Sequence, residues 1–281
     1  MGAVGRRGLV AQTQGDTEQA GSLTGWLLDA LYGVGDALWS AVAVVADMLY
    51  LLANALGGAM ALRTPYFWRS LTQQLYFTAV QVFWLANVIG LALGVLGVLP
   101  LLAFGLTGAE MQATVMRVVL FHQLVPLMVA LVVIGRSGTA ITSELGDMQS
   151  KGVVDSMLLM GIEPHHFLVL PRLVGMVISL QILTLWANLA AIAGGAFFNA
   201  LKGAVGPQHF VDACLNVIEP FAVLQSALMV LAYALAIGLV HCHCGLQART
   251  STDVQRNLAQ AFVRSLIACV AITVLFGVVG K

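Results

Sequence analysis

Five stretches of this sequence, 71–109, 118–135, 173–201, 220–248 and the shorter 265–280, contain no Asp, Glu, Lys or Arg. At about 1.5 Å per helical residue, roughly 20 residues cross the ~30 Å hydrocarbon of a bilayer, so each stretch is long enough, or nearly so, to span it. In lipid every backbone N–H and C=O must find an internal partner, which leaves helices and closed barrels. The runs lack the period-two alternation of barrel strands, so the reading is all-α. Composition excludes the soluble alternative. The chain is 59% hydrophobic and 9% charged, with mean hydropathy +0.91, whereas soluble domains carry about 25% charge. A folded soluble surface could not be solvated with so few charged groups.

Ahead of the first run, residues 1–22 are rich in Gly, Gln and Thr and include Arg6 and Arg7. They read as a flexible, retained tail, because the apolar stretch behind them is too long for a signal-peptide core. Residues 23–62 are apolar but carry Asp29, Asp36, Asp47 and Asn54 at spacings of 7, 11 and 7. At about 100° per residue these four share one helix face, which suits a helix lying in the interface. A spanning helix with a polar seam has the same pattern. With a cytoplasmic N-terminus, ten Lys and Arg fall inside, and only Arg117, Lys202 and Lys281 fall outside. The positive-inside rule therefore places the N-terminus in the cytoplasm.

The longest polar segment, 144–172, separates the second and third runs. Glu144, Asp147, Lys151 and Asp155 fall at i, i+3, i+7 and i+11, a single stripe, with Leu145, Met148, Met157 and Leu158 largely off it. This predicts one short amphipathic helix over 144–160. Gly161 is its expected stop, and Pro164 begins a new turn leading to Arg172. The stripe fits a helix lying on the bilayer or a Met-rich surface docking into a partner.

The run Gly135-Arg136-Ser137-Gly138-Thr139-Ala140-Ile141-Thr142-Ser143-Glu144-Leu145-Gly146-Asp147-Met148, followed by Asp155, Met160-Gly161-Ile162-Glu163-Pro164 and Leu170-Pro171-Arg172, closely resembles the MlaE/YrbE family of ABC permeases. Arg63-Thr64-Pro65-Tyr66-Phe67-Trp68-Arg69, Gln74-Leu75-Tyr76 and Gly245-Leu246-Gln247-Ala248-Arg249 resemble further parts of that family. The resemblance implies one permease domain over 23–281: an N-terminal interfacial helix, five transmembrane helices over 71–280 and a cytoplasmic coupling segment over 144–172. It implies a homodimer in the bacterial inner membrane. A separate pair of ATPase subunits, which would hold ATP and Mg, contacts the coupling helix through Glu144, Asp147, Met148, Lys151, Asp155, Met157, Met160 and Gly161. Phospholipid is then exchanged with an Mce-domain protein, and a small STAS-like regulatory subunit fits the same scheme. Where the family commonly reads Glu-Leu-Gly-Pro, this chain has Gln123-Leu124-Val125-Pro126, so a carboxylate role is not carried over.

The chain has no Gly-x4-Gly-Lys-Ser/Thr loop, and none of its three lysines precedes Ser or Thr, so any ATP-driven motor is expected on another subunit. Formal net charge is zero, which gives no nucleic-acid footprint. No cofactor is expected in this chain. His241-Cys242-His243-Cys244 contains good zinc ligands, but the two His, and likewise the two Cys, point about 200° apart on a helix and no second ligand pair follows nearby, so packing is expected and a metal is not. The four cysteines lack framework spacing, and no disulfide is expected. No converging catalytic set is evident, so the chain reads as non-catalytic. Candidate lipid-pathway residues are Asn87, Gly90, Gln123, Leu124 and Leu127. Gln81, Asn87, His122, Gln123, Gln181, Asn188 and Gln225 suit either a headgroup route or interhelical hydrogen bonding. Gly90 and Gly94 permit close helix approach. The alternative function is a secondary transporter or channel, which normally carries intramembrane charges that these runs lack.

Overall fold

The computed structural model of the chain describes Tyr50 and residues 65–106, 108–117 and 123–279. The expected tail over 1–22, all of the expected interfacial helix over 23–62 except Tyr50, and His122 lie outside the described residues. Among the described residues there are helices and no strands. Five helical segments are long and apolar enough to cross a membrane: Phe67–Ala103, Leu124–Ser150, His165–Lys202, Pro220–Leu246 and Ser251–Val278. The protein is an all-α, multi-pass membrane protein.

The first span consists of α1 (Pro65–Leu75), a π-helical turn (Tyr76–Val80) and α2 (Gln81–Ala103). A short α3 (Ala109–Arg117) follows. The second span is α4 (Leu124–Val133), a π turn (Ile134–Gly138) and α5 (Thr139–Ser150). After α6 (Val153–Leu159) comes a third π turn (His165–Val169), which opens the long α7 (Leu170–Lys202). Then come α8 (Pro207–Asn216), α9 (Pro220–Leu246) and α10 (Ser251–Val279). α8 and α9 each begin with Pro in the first turn, where its missing N–H costs nothing. Spans alternate in direction, so Arg69, Arg136, Lys151, Arg172, Arg249 and Arg256 gather at one end of the bundle, referred to below as the basic end.

The third span is the central pillar: 67% of its most apolar window is buried, against 17% for the fifth. Its closest neighbour is α2, and small residues make that approach possible. A Cβ on Gly90 would collide with the Ala187 carbonyl, one on Gly94 with the Ala191 carbonyl, and one on Gly194 with the Leu91 carbonyl. The Gly90/Gly94 pair is therefore an intrachain seam in which two backbones touch.

At the opposite end, α3 and α8 pack together. Phe210 and Met116, both fully buried, lie over Gly195. Asn199 Nδ2 donates to Gln112 Oε1 at 3.0 Å, while Gln112 Nε2 donates to the Leu106 carbonyl at 3.0 Å. An exposed pair, Arg117 with Glu219 at 3.0 Å, ties α3 to the residue before α9. Sequence reading carried the first run through to residue 109 and had no separate helices here. The structure ends the span at Ala103 and places two short helices beside it.

Candidate functional site

The polar segment at the basic end corrects one expectation. A single helix over 144–160 was expected, but Glu144, Asp147 and Met148 belong to α5, the last turns of the second span. The break comes at Gly152, which adopts φ +70, a left-handed conformation that costs a residue with a Cβ about 1–2 kcal/mol. α6 then runs for seven residues and stops at Gly161, φ +74. Here the Ile162 N–H reaches the Met157 carbonyl at 2.9 Å and the Gly161 N–H reaches the Leu158 carbonyl at 3.0 Å, the paired bonds of a Schellman stop. The polar stripe keeps its helical spacing across the break because a two-residue turn near the middle scarcely disturbs an 11-residue span.

The stripe residues Glu144, Asp147, Lys151 and Asp155 are all exposed, but they have different partners. Lys151 lies 3.9 Å from Asp147, a loose surface pair. Gln149 Nε2 approaches Asp155 Oδ1 at 3.5 Å. Glu144 instead turns to the third span, where its Oε2 accepts from Arg172 Nη2 at 2.9 Å. Met148 and Met157 are half-buried. Beyond them the tip of α6 is apolar and uncovered in this chain, with Leu158, Leu159 and Met160 exposed by 54%, 91% and 67%. Three adjacent large apolar side chains at the end of a helix set between two left-handed glycines form an exposed apolar knob.

Between the first three spans, also at the basic end, lies a cavity of about 320 Å³ lined by Ser70, Gln73, Gln74, Phe77, Ala140, Ile141, Glu144 and Arg172. Arg172 is 7% exposed, and its Nη1 also donates to the Leu168 carbonyl at 2.9 Å. Arg136 extends the polar network. Its Nη2 donates to Gln81 Oε1 at 2.7 Å, and its guanidinium lies 5.8 Å from the Phe77 ring centre. Arg172 was not among the candidate site residues and Glu144 was named for a different role, because the two are brought together by tertiary packing. The sequence signals at Arg172 were its place in the Leu170-Pro171-Arg172 motif and at the head of an uncharged run.

Deeper in the bundle, His241 is fully buried between three spans. Its Nδ1 is 2.7 Å from Thr142 Oγ1 and its Nε2 is 3.3 Å from Ser265 Oγ. Gly138 makes room for the ring, since a Cβ there would sit 2.6 Å from His241 Cδ2. Cys242 and Cys244 are buried and unpaired in disulfides. Among the described residues no group of three or more His, Cys, Asp or Glu is placed to hold a metal.

Asn87 and Gly90 lie on α2 and Leu124 and Leu127 on α4, two helices in contact, with Gln123 just before α4. Asn87 donates to the Phe83 carbonyl of its own helix at 2.8 Å. Gly90, expected on the route, is buried in the α2–α7 seam with the Ala187 backbone against it. Gln123 and Leu124 are exposed at the start of α4, and Leu127 is half-buried one turn on. Gln123 Nε2 lies close to Gly277, and Gln225 Nε2 donates to the Phe276 carbonyl at 3.3 Å, so two amides meet the end of α10. Gln181 donates to the Ala227 carbonyl at 2.7 Å. Gln181 and Gln225 thus act as interhelical ties.

Comparison with known proteins gives a consistent picture. A family model described as "Permease MlaE" matches residues 67–279. A probable ABC transporter permease protein of Synechocystis is 27% identical over 155 residues, 55% of this chain and 59% of that protein. One from Rickettsia prowazekii is 26% identical over 58% of this chain and 65% of its own length. The chloroplastic protein TRIGALACTOSYLDIACYLGLYCEROL 1 of Arabidopsis thaliana is 24% identical over 52% of this chain and 42% of its own length. The match thus spans about three-fifths of the length of the bacterial relatives.

Proposed function

We propose, from the premise that this chain belongs to the MlaE family of permeases, that it is the membrane-spanning subunit of an ABC transporter that moves phospholipid. As a family permease it is a transport subunit, and the family implies an ATPase partner in general. In the fuller reading the chain works as a homodimer in a bacterial inner membrane with its N-terminus in the cytoplasm. Paired ATPase subunits carrying ATP and Mg bind at the basic end, lipid passes to or from an Mce-domain protein, and a small STAS-like subunit regulates the assembly.

The observation that carries the ATPase contact is the apolar tip of α6. A polar loop at a membrane surface has no reason to hold Leu158, Leu159 and Met160 in water, whereas a helix docking into a groove on a partner needs such anchors. The exposed Asp147, Lys151 and Asp155 on the same segment supply polar groups of the kind found at the rim of protein interfaces. Lipid cargo is supported by the Arabidopsis relative, which is named for a glycolipid. The test is to isolate the tagged protein from its native membrane, identify what accompanies it, and measure ATP-dependent transfer of labelled phospholipid between vesicles. Copurifying ATPase and Mce-domain proteins with ATP-dependent transfer are expected. A monomer that moves lipid with neither partner would overturn the reading.

A further inference from the structure

We propose that the cavity between the first three spans is a binding site for a zwitterionic phospholipid headgroup, its phosphate meeting Arg172 and its ammonium meeting Glu144. The inference rests on the lipid-transport reading above and adds a site to it. Depth comes first. The uncharged α2 has 23 residues, about 35 Å of helix at 1.5 Å per residue, which by itself accounts for the ~30 Å hydrocarbon layer. Ser70, Gln73, Gln74 and Phe77 precede it, so the cavity they line lies at headgroup level. Trp68 and Tyr76, 59% and 60% exposed, flank the same stretch as the aromatic residues of a membrane interface do.

The chemistry of the wall selects the ligand. Arg172 presents a planar fork of five donors, of which, among the described residues, two are engaged by Glu144 and the Leu168 carbonyl. Glu144 accepts one of those bonds while its side chain stays 53% exposed, which leaves carboxylate lone pairs facing outward. A buried cation and a half-exposed anion 2.9 Å apart form a dipolar wall with no net charge. A ligand carrying phosphate and ammonium two carbons apart complements both poles. A singly anionic headgroup would gain the guanidinium but face the carboxylate. Ser70 and Gln73 offer a hydroxyl and an amide for phosphodiester or glycerol oxygens. The volume of about 320 Å³ is room for roughly ten waters at about 30 Å³ each and accommodates the roughly eight non-hydrogen atoms of a phosphoethanolamine unit. The π turn Tyr76–Val80 contributes Phe77 to its wall, and Arg136, from the π turn Ile134–Gly138, lies over the Phe77 ring. Such turns recur at functional sites because they redirect side chains out of the regular helical register.

The experiment is native mass spectrometry of the full chain in detergent, offered phosphatidylethanolamine or phosphatidylglycerol with identical acyl chains. Several-fold preferential retention of phosphatidylethanolamine is expected. Ala140→Leu, which fills the cavity and leaves the ion pair intact, should cut that retention about tenfold with an unchanged circular dichroism spectrum and Tm. Arg172→Lys, which keeps the charge and loses the fork, should do the same where it folds. Equal retention of the two lipids, or retention unaffected by Ala140→Leu, overturns the proposal. So does displacement of the lipid by an equal concentration of glycerophosphoethanolamine, which would make this a site for a soluble phosphodiester. ATP-dependent lipid transfer by the assembled complex is measured in parallel. Transfer without headgroup selection at the cavity discards the site alone, while selective retention without transfer discards the transport reading and leaves the site.

Discussion

Gly94→Ala and Gly97→Ala add the same atom to the same helix three residues apart, and the structure opposes the first more strongly than the second. On helix propensity alone each should stabilise α2 by about 0.8–1 kcal/mol, the usual Gly-to-Ala difference. At Gly94 the new Cβ would fall far inside van der Waals contact with the Ala191 carbonyl oxygen and 2.9 Å from the Ala191 Cα, both rigid backbone atoms. The helices can relieve that only by separating, and a gap of about 0.5–1 Å forfeits a quarter to a half of each contact well along the seam. Overpacking of this kind costs about 1–3 kcal/mol, and backbone obstruction places it toward the upper figure. The packing loss exceeds the propensity gain, and a net destabilisation of about 1–2 kcal/mol is expected. At Gly97 the obstacle is the Met116 Sδ at 2.6 Å, a side-chain atom and not backbone but part of a fully buried side chain, so that variant should lose less than Gly94→Ala, about 0–1 kcal/mol. Thermal unfolding of both variants in the same detergent checks this. Equal Tm values, or Gly94→Ala at or above the unsubstituted protein, would refute the claim that backbone contact governs the α2–α7 seam.

Gly161→Ala has open space around it, so only its φ of +74 opposes a Cβ, and a loss of about 1–2 kcal/mol measured by the same unfolding assay is expected. Leu159→Asp on the exposed tip of α6 should leave Tm essentially unchanged, as surface substitutions generally stay within about 0.5 kcal/mol, while ATPase copurification falls sharply. His241→Leu leaves the Thr142 and Ser265 hydroxyls without their imidazole partner in a buried clasp, and a loss of about 1–3 kcal/mol in unfolding free energy is expected. Burial pushes the Cys214 thiol up from 9.0 to about 11, so its alkylation by iodoacetamide should stay slow through pH 9 in the folded protein. Because the unfolded chain loses that proton first, this group's contribution to stability should decline as pH rises from about 9 to 11, readable as a Tm difference from Cys214→Ala.

What could be read from the residues alone follows from short-range constraints. A bilayer imposes length and apolarity on each span, and 71–109, 118–135, 173–201, 220–248 and 265–280 satisfy it locally, so the number of spans and the all-α class were legible before any packing was known. Gly161 was legible for the same reason, since a left-handed helix stop is a property of one residue and its immediate neighbours. Pairings across the chain were not. Nothing in local spacing says that Glu144 belongs to Arg172 and not to an outward-facing stripe, or that Thr142 and Ser265 close on His241, because those contacts join residues 28, 99 and 24 positions apart. The Gly90/Gly94 pair shows the division most plainly. Its spacing announces a close helix approach, and only the folded chain identifies the partner as α7, because every span here presents an apolar face to its neighbours and the choice among them depends on where backbones can touch.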